Sequence, residues 1–281
     1  VVGVVVIAER NARDSAQIGA DDTDQLDRSG DRVSGHSKWA TTKHQKGAKD
    51  KARAKLFAKL IRQVEVAARE GGGDLSANAN LRTMYHKARD SSVPLDTIER
   101  AIKRGTGELE GVRYEAISYE GYAASGVAVI VECLTDNRNR TGSEVRTIFS
   151  RNGGSMSEPG AVSWQFERKG VVTVARTLEE DDLMSIVLES GAEDLRDDGD
   201  SWILIAEPAQ LQGVRDALEG AGITPTAVEI QMLPTTDVLV EDEGTAKKIL
   251  HLLELLDDHD DVQNVWSNFD IPDAILEAVS A

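Results

Sequence analysis

The densest concentration of chemically capable side chains in this sequence is cationic. Lys38, Lys43, Lys46, Lys49, Lys51, Arg53, Lys55, Lys59 and Arg62 follow one another with a single acid, Asp50, among them. Neutralising a phosphate backbone requires clustered cations of this kind, and Trp39 within the run offers a face on which a base can stack. A solvated helix face is the ordinary reading of a charge run. A salt-bridged surface would carry both signs, however, and this run does not. His36 and His44 stand eight apart with no Cys or carboxylate at ligand spacing, so they do not read as a metal site.

A second concentration is Thr135-Asp136-Asn137-Arg138-Asn139-Arg140-Thr141. Asp136 or Asn137 can cap the helix that follows, yet two arginines among amides and an acid exceed what capping needs. With Arg146 and Arg151 they are cations on an otherwise acidic stretch. Asn152-Gly153-Gly154-Ser155-Met156 then reads as a glycine-permissive loop able to lie closely on a backbone or phosphate. The residues alone leave a functional surface and a purely structural one both open here. The candidate nucleic-acid contacts are thus Lys38, Trp39, Lys43, Lys46, Lys49, Lys51, Arg53 and Lys55 in the first cluster, and Arg138, Arg140, Arg151 and Met156 in the second.

Catalysis has no comparable foothold. The acidic pairs Glu179–Asp182, Asp197–Asp198, Glu241–Glu243 and Asp257–Asp258 read as turn and helix-start acids, for which solvation and the helix dipole suffice. No Ser/His/Asp set, Walker loop or dinucleotide fingerprint occurs. The lone Cys133 lies in an apolar strand and reads as a buried, inert thiol. The expectation is a protein without enzymatic activity, cofactor, metal or small-molecule substrate.

Composition sharpens this picture. The net charge over 281 residues is −17, but it is unevenly distributed. Residues 1–33 carry net −3, residues 34–105 carry +9 and residues 106–281 carry −23. A basic unit on an acidic body predicts polyanion binding by one end only. Aromatics at 4% argue against aromatic-lined sugar or haem sites, and one cysteine excludes an intramolecular disulfide. No apolar run approaches the ~20 residues that span a bilayer, so a soluble, cytoplasmic protein with no membrane partner is expected.

The elements that must position these clusters follow from periodicity. Residues 1–33, rich in Asp, Gly and Ser, read as a disordered extension apart from a short apolar stretch at Val4–Ile7, and Val33 stands where an initiator could sit. Leu56, Phe57, Leu60, Ile61, Val64 and Ala68 form an amphipathic stripe over about Asp50 to Arg69. Asn78 or Asn80 caps a second helix bearing Leu81, Met84, Tyr85 and Ala88. Ser92 and Pro94 open a third, with Leu95, Ile98 and Ile102 inward and Gly105 as its stop. Beyond Tyr114 come strands Tyr114–Tyr119 and Val127–Leu134, a helix from about Asn139 to Arg151, and a strand near Val162–Phe166. A βαββαβ order follows: strand Val171–Ala175, helix Asp181–Glu189, strands Ala192–Leu195 and Trp202–Ala206, helix Ala209–Leu218 and strand Thr226–Gln231. Helix Thr245–Leu256 and strand Val262–Phe269 remain. The expected fold is α+β: a helical bundle followed by two α+β, ferredoxin-like domains, one inserted in the other. The expected boundaries are 34–110 for the basic helical domain, 111–169 plus 234–281 for a middle domain, and 170–233 for the insert.

At this point a set of motifs becomes recognisable. Ser34-Gly35-His36-Ser37-Lys38-Trp39-Ala40, Lys55-Leu56-Phe57-Ala58-Lys59-Leu60-Ile61, Tyr119-Glu120-Gly121-Tyr122, Thr135 to Arg140, Arg151-Asn152-Gly153-Gly154 and Trp164-Gln165-Phe166 resemble the YebC family, in order and at family spacing from Ser34 to about Phe269. The family commonly has Met where Val33 stands, more polar residues where Leu95-Asp96-Thr97 stand, and another aromatic at Trp164. The resemblance implies three domains, no cofactor and no enzymatic activity. It also implies a role either as a transcriptional regulator binding promoter DNA or, as for the mitochondrial translational activator of cytochrome oxidase, as a factor on the ribosome relieving stalling at proline-rich stretches. The reading is a nucleic-acid-binding regulator of gene expression, with promoter DNA or ribosomal RNA, and the ribosome itself, as partners. The absence of a clear recognition helix and the acidic body lean toward RNA. The alternative class is an acidic interaction scaffold with an incidental basic end.

Overall fold

The computed structural model describes residues 49–177 and 179–280. Lys38, Trp39, Lys43 and Lys46, the two histidines beside them and the Val4–Ile7 stretch lie outside the described residues. Three helices come first: α1 (Lys49–Gly71), α2 (Ala79–Asp90) and α3 (Leu95–Gly105). They enclose one core of Leu60, Val64, Ala67, Ala68, Leu81, Ala88, Val93, Ile98 and Ala101. Asn78 organises the first corner from both sides. Its Nδ2 donates to the carbonyls of Ala67 and Gly72, each at 2.8 Å, while its Oδ1 accepts from the N–H of Leu81 at 3.0 Å. One amide thus satisfies the orphan carbonyls ending α1 and an orphan donor opening α2. Two residues of the apolar stripes, Leu56 and Leu95, do not face this core but are exposed. Each sits at the margin of its stripe, where the rotation per residue carries it past the buried arc.

The first sheet is built from β1 (Glu115–Tyr122), β2 (Ala128–Thr135), β3 (Ser155–Ser157) and β9 (Val262–Ser267), all antiparallel, in the order β3-β1-β2-β9. Two helices, α4 (Arg138–Arg151) and α7 (Glu243–Asp257), cover one face. Val145 and Phe149 of α4 and Ala246, Ile249, Leu252, Leu253 and Leu256 of α7 join Val129, Val131 and Cys133 of β2 in the largest core. Phe149 is wholly buried, and cutting it to Ala would cost about 3–5 kcal/mol. On the opposite face Ala128, Ile130 and Trp266 pack with Val162 and Phe166, which follow β3 in sequence.

The second sheet is built from β4 (Phe166–Ala175), β5 (Ala192–Asp197), β6 (Ser201–Ala206) and β7 (Ala227–Pro234) in the order β5-β6-β4-β7. Helices α5 (Glu180–Val187) and α6 (Leu211–Gly220) lie between them in sequence, which is the ferredoxin-like βαββαβ arrangement. The strands expected near Val162–Phe166 and at Val171–Ala175 are one: β4 runs without interruption from Phe166 to Ala175, pairing Gly170 with Ala206 and Ile230. A Cβ there would come within 3.0 Å of Leu211, so this glycine lets α6 settle on the sheet. The chain leaves the first sheet through Gln165 and returns through Thr235, and these points are pinned together, Thr235 N–H and Oγ1 both donating to the Gln165 carbonyl. Fully buried Asn268 closes the same junction, accepting from Ala128 N–H and donating to Gln165 Oε1 and the Thr236 carbonyl. A two-stranded parallel pair, β8 (Val238–Leu239) with β10 (Phe269–Asp270), and a last helix α8 (Asp273–Ser280) complete the fold.

Candidate nucleic-acid interface

The basic run maps onto α1. Lys49 and Lys51 lie in its first turn. Arg53 is exposed, its guanidinium 5.2 Å from the centre of the Phe57 ring. Further along, Lys55, Lys59 and Arg62 have a defined partner some 200 residues away in sequence, the end of α7. Lys55 donates to the carbonyl and carboxylate of Asp258, Lys59 to the carbonyl of Asp257 at 2.9 Å and its carboxylate at 3.2 Å, and Arg62 to the Asp260 carbonyl and Asp261 Oδ1. This corrects the reading of Asp257–Asp258 as a helix-start or turn pair explained by solvation and dipole. Asp257 is the last residue of α7 and Asp258 its C-cap, where the dipole disfavours negative charge. The cations of α1 offset that cost.

The Thr135–Thr141 cluster is organised around a residue that the sequence did not single out, Asp261. It is buried, and its Oδ2 accepts from Thr141 Oγ1 at 2.7 Å, Arg140 Nη2 at 2.9 Å and Thr135 Oγ1 at 3.2 Å. Burial pushes this carboxyl upward, but hydrogen bonds from Thr141, Arg140 and Thr135 outweigh it and hold the group below the usual aspartate range. Arg140 also bridges to Asp136 at 2.8 Å, and Asn137 Oδ1 caps α4 by accepting from the Arg140 N–H. His259 adds a second tie: its Nδ1 accepts from the Asp261 N–H, which leaves Nε2 to donate to Glu144 at 2.7 Å. Arg140 is therefore held in place by two carboxylates. Arg138 and Arg151, at the two ends of α4, are exposed and make no ion pair with a described residue; the same is true of Arg146.

The expected loop at residues 152–156 is different in the structure. Ser155–Ser157 is a strand, Met156 stands opposite Gly121, and its side chain is partly buried against the main core. Gly153 makes the turn with φ +78°, with open space around it. Gly154 faces inward, where a Cβ would approach the Tyr122 carbonyl at 2.8 Å and Phe149 and Leu252 at 3.0 Å. Its small size serves packing. Cys133 is buried beneath the sheet and its thiol is pushed up to about 12, chiefly by burial.

A helical bundle followed by two sheets, each with its own helices, defines a class of multidomain α+β protein. Family models place the chain within that class: the TACO1/YebC protein N-terminal domain matches residues 37–108, and the TACO1/YebC second and third domain matches residues 114–269. The chain belongs to the TACO1/YebC family. Proteins named "probable transcriptional regulatory protein" from Acidothermus cellulolyticus and Mycobacterium tuberculosis are each 54% identical over 249 residues, covering 88% of this chain and 100% and 99% of theirs. One from Halothermothrix orenii is 50% identical over 251 residues. A solved conserved hypothetical protein from Aquifex aeolicus superposes with a TM-score of 0.74 at 45% identity, covering 81% of this chain and 95% of that one. Among the described residues, no helix is long and apolar enough to cross a membrane.

Proposed function

We propose that this chain is a non-enzymatic regulator of gene expression that binds nucleic acid through its basic N-terminal segment. The observation that carries this is charge segregation: +9 over residues 34–105 on a body of −23. Relatives named as transcriptional regulators support promoter DNA as the ligand. Binding is electrostatic first, so affinity falls steeply with salt. The exposed arginines Arg138 and Arg151 form a second contact surface, reached once the basic segment is engaged.

A second reading, ribosomal RNA, is favoured by a specific observation. The middle of α1 packs its cationic face on α7 rather than presenting it to a groove, and the body's charge repels a long duplex. The test compares salt-dependent binding of the full chain to promoter duplex and to ribosomal RNA fragments, alongside a deletion strain. Promoter-specific crosslinking supports DNA, and loss of pausing relief at proline codons supports RNA. Salt-insensitive or absent binding to both would return the protein to the scaffold class.

A further inference from the structure

Resting on the nucleic-acid reading above, we propose that the face of α1 carrying Lys55, Lys59 and Arg62 is a phosphate-binding surface whose resting occupant is the acidic turn Asp257–Asp261 of the same chain, so that turn and polyanion compete for it.

The three cations stand at i, i+4 and i+7 and so share one helix face. Each meets a backbone carbonyl and a carboxylate oxygen, the paired oxygens that a phosphodiester would also supply. The occupant is poorly placed without them, because Asp257 and Asp258 add negative charge at the negative end of α7.

The pairing is also releasable. The apolar side chains of α1 pack with α2 and α3, while those of α7 pack on the first sheet, so the two helices contribute to separate cores. What joins them here is polar and graded in exposure: the Asp258 side chain is 81% exposed, whereas Lys59 with Asp257 and Arg62 with Asp261 are more covered. The exposed Lys55–Asp258 pair is weak and screened by salt, so release can begin there. When α1 leaves, Asp261 keeps its threonine and Arg140 partners and gives up only Arg62, at 3.4 Å. The turn therefore stays folded in either state.

The test uses the full chain with Asp257→Asn, Asp258→Asn and Asp260→Asn combined. A control carries Glu179→Gln, Glu180→Gln and Asp181→Asn, which alters net charge equally at a distant helix start. Affinity is read by anisotropy with a labelled single-stranded RNA and with a duplex DNA of matched length. Spin labels at Ala54→Cys and Glu254→Cys report the separation of α1 from α7, Cys133 being too buried to react. Neutralising the turn, with its backbone carbonyls left in place, should raise affinity about tenfold beyond the control, as expected when a closed state holds most of the population, and saturating probe should lengthen the label distance. A gain no larger than the control's, or an unchanged distance at saturation, overturns the competition while leaving nucleic-acid binding standing. Binding by the variant alone, with none by wild type, supports it in its strongest form. If no protein binds either probe, the functional reading fails and the competition falls with it.

Discussion

The two cationic regions look alike as sequence and differ as structure. On α1, the charges of Lys55, Lys59 and Arg62 are met by a helix end and turn at the rim of the molecule. At the start of α4, Arg140 is tied to the buried carboxylate of Asp261, while Arg138 near it and Arg151 at the far end of the helix make no ion pair with a described residue. A cation's availability is thus decided by where the nearest acid falls in space. In the first region the acid is exposed at Asp258 and more covered at Asp257, and Arg62 reaches the same Asp261 that organises the second. In the second it is buried, and its partners cannot leave without stranding it.

The largest effect should follow from removing that buried acid. Asp261→Ala strands two threonine hydroxyls and Arg140, and should cost about 3 kcal/mol in a denaturant melt. A loss below about 1 kcal/mol would show that the Thr135–Thr141 cluster does not depend on it. The sign with pH follows from its lowered titration: the stabilisation is full above the ordinary aspartate range and disappears as pH falls through the depressed value.

Next in size, reversing Lys43, Lys46, Lys49 and Lys51 to Glu should abolish nucleic-acid binding with the fold retained, since these positions precede or open α1 and lie outside its apolar stripe. Every phosphate deprived of its cation should lower the salt slope by about one unit. Unchanged affinity in a folded variant would remove the basic segment from the interface.

The α4 arginines separate more finely. Arg140→Ala should lower the melting temperature, though less than Asp261→Ala, because it removes one charged hydrogen bond to a buried carboxylate. The pair Arg138→Ala with Arg151→Ala should change stability by less than about 0.5 kcal/mol while impairing regulation in vivo. Wild-type activity in that pair would make α4 a scaffold helix only.

An effect of opposite sign concerns Asp237, raised to about 6 by burial and by Asp270 nearby. Its charge opposes folding as pH rises from the ordinary aspartate value through 6, so Asp237→Asn should stabilise the protein near neutral pH and do nothing below pH ~4. Solvent reaches this residue, which holds the gain to about 1 kcal/mol. Thermal melts at the two pH values read it directly.

Local and periodic features were legible without coordinates. The three helices of the bundle announce themselves through 3.6-residue periodicity and through Asn78, whose capping role is a property of its side chain and immediate neighbours. The βαββαβ order shows in the alternation of periods, and the segregated charge is simple counting. What escaped depends on distant partners. The separate strands expected near Val162–Phe166 and at Val171–Ala175 are one strand, in which Gly170 makes room for Leu211, and Met156 reads as loop until Gly121 is found opposite it.

Asp261 shows the same division most clearly. Nothing near it in sequence marks it as central, because Thr135, Arg140 and Thr141 lie more than a hundred residues upstream. Residue types and short spacings determine which segments become helix or strand and which carry charge, since those depend on backbone sterics and side-chain chemistry within a turn or two. Which charges are neutralised and which face solvent was decided only by folding, because Coulomb and hydrogen-bond energies depend on separation in space and burial, and neither is a function of position along the chain.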